Sequence, residues 1–183
     1  MKENFQITDK ETGKIYWISR AMAVAGVIMC KVTNGGQWYF LLEKRGPNCP
    51  DNIGKWCGVC GYLNWGETRK EAMIREAYEE TGYRAELENV IELETIDDPT
   101  RDARENIVTR YAIIADFTLF EQFSADEINI DTKSRGGEEG EVSELTIKSE
   151  SDIRNMNSDE FAFGHKEMIL EIVENLKGRN FDF

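Results

Sequence analysis

Residues 61–83 read GYLNWGETRKEAMIREAYEETGY, and this stretch decides how the rest of the chain is understood. Thr68 followed by Glu71 is a capping-box pair, which predicts a helix starting at Thr68, and Gly82 supplies the left-handed residue that ends one. At about 100° per residue, Glu79 and Glu80 lie roughly 60° and 40° either side of Glu76. The helix therefore shows a narrow acidic face, with Ile74, Ala77, Tyr78 and Thr81 on another arc that can pack inward. Three carboxylates that close repel unless a cation sits between them. Oxygen donors of this kind suit a hard divalent cation, and Mg²⁺ brings waters and substrate phosphates with it. The alternative is a solvated acidic helix face, the usual fate of a charge run.

The spacing weighs against that alternative. Gly61, five residues, Glu67, seven residues, Arg75-Glu76, an apolar Ala77, one residue, Glu79-Glu80, one residue, Gly82 and Tyr83 form one continuous pattern. Seven fixed identities agree by chance with a probability of about 10⁻⁸ to 10⁻⁹ per starting position at average residue usage. The stretch resembles the Nudix box throughout, and the chain resembles the Nudix hydrolases. That resemblance implies an α/β fold, a Nudix-type α/β/α sandwich with a mixed β-sheet between helices and the box as a loop–helix–loop at one end of the sheet. It implies metal-dependent hydrolysis of the diphosphate linkage in a nucleoside diphosphate derivative. Glu76, Glu79, Glu80 and the Gly61 carbonyl would hold Mg²⁺ or Mn²⁺, and Arg75, four residues before Glu79 and four after Glu71, would orient the acids. The implied catalytic set is Glu79, Glu76, Arg75 and Glu80, with Glu67 as a water-mediated or structural contributor. The general base in such enzymes is either the box glutamate, here Glu79, or a glutamate on a later loop, for which Glu138, Glu139 and Glu141 are the candidates.

Composition sets the boundaries. At 183 residues the chain is expected to form a single domain over 1–183, with 1–20 as an N-terminal hairpin extension. Twenty-two basic against thirty-five acidic residues give a net charge of −13. That opposes a nucleic-acid surface but not a small, metal-chelated phosphate ligand. MKENFQITDK lacks the apolar core of a signal peptide, and the longest apolar run, 21–30, is too short to span a bilayer. No membrane partner and a cytoplasmic location are expected. Four cysteines are present, with Cys57 and Cys60 in a CxxC, but the single histidine, His165, is distant in sequence. Buried or half-buried thiols are expected there rather than zinc ligands or a redox pair.

In chain order, 5–8 and 14–19 flank the turn DKETG and read as a hairpin, whose Phe5, Tyr16 and Trp17 are expected to pack on the domain rather than mediate a dimer. Segments 21–33 and 37–44 read as strands joined at Asn34-Gly35-Gly36, and 56–63 as one short strand leading into the box. Strands are expected over 85–95, 106–117 and 141–148, with a mixed stretch over 120–139. A helical turn at 151–155 and an amphipathic helix at 165–177 follow, the latter with Met168, Ile169, Ile172, Val173 and Leu176 inward.

Substrate choice lies outside the box. DDPTRDARENIVTRYAIIADF and FAFGHKEMI resemble segments of the shorter ADP-ribose pyrophosphatases, through Pro99, Arg101, Asp102, Arg104, Ala162, Phe163 and His165. Arg45, Arg101, Arg104 and Phe163 are the substrate-binding candidates, with Tyr62 and Trp65 as further aromatics able to stack on a base. Arg101 and Arg104 would otherwise pair with neighbouring acids, and His165 would make a structural hydrogen bond. The expected partner is a small-molecule nucleotide, ADP-ribose or a similar sugar nucleotide first, and the hairpin allows a homodimer. Nucleoside triphosphate pyrophosphohydrolysis is the alternative within the enzymes. A non-catalytic nucleotide-binding or sensing module is the alternative of another class, although regulators of that kind carry a winged-helix domain after the last helix.

Overall fold

Nine strands and three helices make up the described part of the molecule: β1 (Phe5–Thr8), β2 (Ile15–Ile18), β3 (Met22–Lys31), β4 (Trp38–Arg45), β5 (Trp56–Cys57), β6 (Val59–Tyr62), α1 (Arg69–Thr81), β7 (Val90–Ile96), β8 (Ile107–Ile114), β9 (Val142–Ser149), α2 (Glu150–Asn155) and α3 (His165–Leu176). The structure is a computed structural model and describes residues 3–31, 36–101, 104–116 and 131–177. The expected turn at Asn34-Gly35 and most of the 120–139 stretch lie outside these residues.

β3 is the axis of the sheet. MAVAGVIMCK is apolar at both parities, the pattern of a strand covered on both faces. It runs parallel to β8 and antiparallel to β4 and β6, while β7 flanks β8 and β9 flanks β4. The result is a seven-stranded mixed sheet. Side-chain parity divides its core in two. Val24, Ile28, Leu41, Tyr111 and Ile113 face α1 through Ala72, Met73 and Ala77. Ala25, Val27, Met29, Phe40, Leu42, Ala112 and Ile114 face α3, where the five positions expected to point inward are all buried. The sandwich expected from the sequence is present.

One expected strand is two. Past Ile28 and Leu41 the pairing of β3 with β4 stops, and the chain from Trp56 enters the fork between them. β5 pairs with Glu43 and Lys44 of β4, then at Gly58 the chain crosses over and β6 pairs with Ala23–Gly26 of β3. This wedge carries Cys57 and Gly61 beneath α1, while the Cys60 side chain packs on the opposite face with the α3-side core. The strand expected over 85–95 begins only at Val90, after a 3₁₀ turn at Leu87–Asn89.

The N-terminal hairpin forms its own two-stranded sheet, with Phe5 opposite Ile18 and Ile7 opposite Tyr16. Its aromatics do not pack on the domain as expected: Phe5 is 57% and Trp17 65% exposed. Tyr16 alone reaches back, edge-on to Trp65 with ring centroids 5.9 Å apart. No described helix is long and apolar enough to cross a membrane.

Candidate active site

α1 starts and ends where the sequence places its caps. Thr68 Oγ1 accepts from Glu71 N at 3.3 Å, Glu71 Oε2 accepts from Thr68 N at 2.7 Å, and Gly82 closes the helix at φ 81°. The acidic face, however, is not a solvated one. Glu76 and Glu80 fall on the buried side with Ala72, Met73 and Ala77, at 8% and 1% exposure, while Ile74 and Tyr78, expected inward, are only half-buried. The helix turns two of its three box carboxylates into the fork of the sheet.

Arg75 ties this cluster together. Its Nη1 donates to Glu76 Oε1 and to Glu79 Oε2, both at 2.8 Å. Nε and Nη2 form a fork on Glu67 at 3.0 and 2.8 Å, and Nη2 also reaches the Tyr62 carbonyl at 3.0 Å. So Glu67 is structural, and Arg75 links it to the acidic face. The link expected between Arg75 and Glu71 gives way to the capping box, which already engages the Glu71 carboxylate. Surrounded by three carboxylates, the guanidinium holds its proton more tightly than usual. Burial pushes Glu76 up to about 7, only partly offset by Arg75.

Deeper in the fork lies a carboxylate that sequence reading missed. Glu43 shares the parity of Leu41 on β4 and so points to the α1 face, where it meets Glu80. Cys57 Sγ donates to Glu43 Oε1 at 3.1 Å and Cys60 N donates to Glu80 Oε2 at 3.0 Å. The other oxygen of each acid, Glu43 Oε2 and Glu80 Oε1, is buried with no hydrogen-bond partner among the described residues. Desolvation raises the pKa of both, with the like charge of Glu141 adding to it at Glu43 and those of Glu43, Glu76 and Glu141 adding to it at Glu80. The same burial raises Cys57 and Cys60, so these thiols are neutral structural groups, as expected.

Gly61 is required where it stands. A Cβ there would lie 2.0 Å from Glu76 Oε1, so the box carboxylate and the β6 backbone approach each other only because the residue is glycine. The 131–141 segment closes the other side. Arg135 donates from Nε and Nη2 to the Glu79 and Glu80 carbonyls at 3.0 and 3.1 Å, a cation at the negative end of α1 that no sequence signal indicated. Of the three late glutamates, Glu138 and Glu139 are exposed and Glu139 pairs with Lys133 at 2.7 Å. Glu141 is half-buried within electrostatic reach of Glu43, Glu76, Glu79 and Glu80, and its pKa is raised by burial and by the like charges of Glu138 and Glu79. Its carbonyl accepts from Gly46 N at 2.6 Å, which ties the loop after β4 to this segment.

Three of the four substrate-binding candidates come together. The Arg45 and Arg104 guanidiniums lie 4.9 and 5.9 Å from the centroid of the Phe163 ring, and Arg104 Nη1 meets the Tyr62 hydroxyl at 3.4 Å. Tyr62 is the residue after Gly61, so this group adjoins the box. Arg101 is elsewhere: it lines a cleft with Glu94, Arg154, Leu170, Glu171 and Glu174, on the α3 side of the sheet. Asp102 lies outside the described residues. His165 makes the structural hydrogen bond expected of it, its Nδ1 accepting from Gly58 N at 3.0 Å. Burial lowers its pKa to about 4, which keeps the ring neutral and able to accept.

The donor set fits a hard divalent cation. It offers carboxylate and carbonyl oxygens, one buried box oxygen without a partner, and a place between Glu76 and Glu79 that already holds positive charge. No three Asp, Glu, His or Cys side chains among the described residues already converge as a coordination set. The reason is visible: Arg75 occupies Glu76 and Glu79, and Glu80 turns to Cys60 N. A cation at this place would have to take over oxygens that those hydrogen bonds now engage.

The family model of the NUDIX domain matches residues 22–171, and the chain belongs to that family. Among solved structures, the NUDIX domain of Shewanella oneidensis NrtR complexed with ADP ribose is 19% identical, with a TM-score of 0.65 over 87% of this chain and 90% of that one. A MutT/nudix family protein from Enterococcus faecalis is also 19% identical, with a TM-score of 0.64, and this chain spans 88% of its own length but 63% of that protein's. A bifunctional NMN adenylyltransferase/ADP ribose pyrophosphatase from Francisella tularensis, complexed with AMP and a Mn ion, is 20% identical with a TM-score of 0.59 over 86% and 42%. At these identities the likeness is one of fold.

Proposed function

We propose that this protein hydrolyses the diphosphate linkage of a nucleoside diphosphate derivative, with ADP-ribose or a related sugar nucleotide as first substrate and Mg²⁺ or Mn²⁺ as cofactor. One observation carries the reading: the Gly61–Glu76–Glu79–Glu80 group and the Arg45–Arg104–Phe163 group stand side by side, joined through Tyr62. The first suits a cation, the second an anionic phosphate next to a flat ring.

Glu76, Glu79, Glu80 and the Gly61 carbonyl would hold the metal, which supplies polarisation of the anhydride and neutralises the charge developing on it. Arg45 and Arg104 bind and orient the phosphates, and Phe163 offers a face to a ring of the substrate. Water attacks one phosphorus as the bond from that phosphorus to the bridging oxygen breaks, and its proton passes to a carboxylate. Glu141 suits that role. It is not engaged by Arg75, and its raised pKa brings it nearer to working pH. Arg75 orients Glu76 and Glu79 through the hydrogen bonds from its Nη1 to both.

The test is a product-resolved screen of ADP-ribose, NADH, sugar nucleotides, dinucleoside polyphosphates and nucleoside triphosphates with Mg²⁺ or Mn²⁺. AMP with a sugar phosphate is the expected product pair. A preference for triphosphates, giving a nucleoside monophosphate and pyrophosphate, would replace this reading with the alternative one.

A further inference from the structure

Three segments far apart in sequence meet at the anion side of the site. The loop after β4 brings Asp51, the loop before β8 brings Arg104, and the turn before α3 brings Phe163. Asp51 touches both arginines. Its backbone carbonyl accepts from Arg45 Nε at 3.1 Å, its Oδ1 lies 3.4 Å from Arg45 Nη2, and its Oδ2 pairs with Arg104 Nη2. The non-glycine residues with left-handed backbone among those described are Asn52 (φ 51°), Glu105 (φ 58°) and Phe163 (φ 54°). Each is one of these three contacts or its chain neighbour. Conformations of that kind persist where the surroundings enforce them, and they gather at ligand clamps.

We infer that Asp51 is a resident anion of this site: its carboxylate occupies the Arg45–Arg104 pair and must yield it to the phosphate groups of an incoming nucleotide. The inference rests on the hydrolase reading only for which nucleotide arrives. Arg45 is 7% exposed, and a guanidinium so buried needs an anion or a full set of acceptors whether or not ligand is present. The two parts of Asp51 do different work. The backbone carbonyl aims Arg45 by its Nε and stays in place whichever way the side chain turns. The carboxylate is 37% exposed and so is held weakly enough to swing into water. A diphosphate presents oxygens to both forks at once and displaces it, whereas a monophosphate has fewer oxygens to do so. Asp51 thus lowers affinity for every phosphate ligand that must engage both forks.

Binding of ADP and of inorganic pyrophosphate, measured calorimetrically on the full chain with EDTA present, isolates this step from the metal site. Asp51→Asn and Asp51→Ala should each bind ADP about two- to fivefold more tightly than the wild type, the range to which an exposed ion pair converts. The gain should shrink as salt is raised, and Asp51→Glu should return the affinity to the wild-type level. A purely structural role would move affinity the other way. Unchanged or weaker binding by Asp51→Asn and Asp51→Ala, with circular dichroism showing both folded, overturns the assignment. So does an absence of ADP and pyrophosphate binding in every form. Turnover of ADP-ribose by the wild type is scored separately: tightened ADP binding in the variants without wild-type turnover would count against the hydrolase reading and leave Asp51 as assigned.

Discussion

Gly61→Ala isolates the geometry on which the site depends. The added methyl would lie 2.0 Å from Glu76 Oε1, 2.2 Å from its Cδ and 2.6 Å from Oε2, where real contacts of this kind do not fall below 3.0 Å. The β6 backbone is fixed by its pairing with β3, Gly61 opposite Val24, so the carboxylate is the part that yields. It must retreat by about 1 Å, and a displacement of that size at a catalytic group costs on the order of 100-fold in rate. Stability should change little. Alanine in a strand gains about 0.5–1 kcal/mol over glycine through the unfolded chain, and a comparable loss follows where Glu76 slackens its 2.8 Å bond to Arg75. For a domain of this size that keeps the melting temperature within about 3 °C of the wild type. Initial rates on ADP-ribose with Mg²⁺ and a thermal melt on the same sample provide both readouts. A Gly61→Ala protein within threefold of wild-type kcat/KM would refute the placement of Glu76 against β6 as a requirement for activity.

Other perturbations test the supporting shell. Arg75→Ala leaves Glu67, Glu76 and Glu79 uncompensated in a half-buried setting, at about 2 kcal/mol after solvent screening, so the melting temperature should fall by about 4–8 °C and more than in Arg75→Lys. Thr68→Ala removes the capping box and should cost about 1 kcal/mol, or about 2–4 °C, with turnover kept. Glu43 is pushed up to about 8 by burial, from an ordinary 4.5. A raised carboxylate contributes stability that is full below pH 4.5 and lost as pH rises through 8, so metal-free protein should melt at lower temperature at pH 8.5 than at pH 6. Glu43→Gln should flatten that slope; an equal slope in the variant would show that Glu43 is not its source. For the general base, Glu141→Gln should reduce kcat by a factor of 10² to 10⁴ with a much smaller change in KM, and a variant of wild-type kcat would return the role to Glu79.

The helix and its two caps were legible because short-range rules determine them: a capping pair three apart, a glycine terminator and a 3.6-residue period. The inward helix α3 was legible for the same reason. What escaped depended on contacts made across the chain. The orientation of Glu76 and Glu80 follows from the fork between β3 and β4, and nothing local distinguishes a carboxylate aimed at protein from one aimed at water. Glu43 carried a weak signal, a lone acid in a strand, WYFLLEKR, otherwise buried at both parities. Asp51 carried none, since its meaning comes from Arg104, 53 residues away. Arg101 and Arg104 look alike on one charged loop, yet one faces the cleft beside α3 and the other faces Phe163.

The most direct test of the central claim compares the wild type with the double variant Glu79→Gln, Glu80→Gln on ADP-ribose, with and without Mg²⁺ or Mn²⁺, the products resolved by chromatography. The account predicts release of AMP and a sugar phosphate by the wild type only when the cation is present. It also predicts loss of that release in a double variant that circular dichroism shows to be folded. Undiminished cation-dependent turnover in the double variant would contradict it.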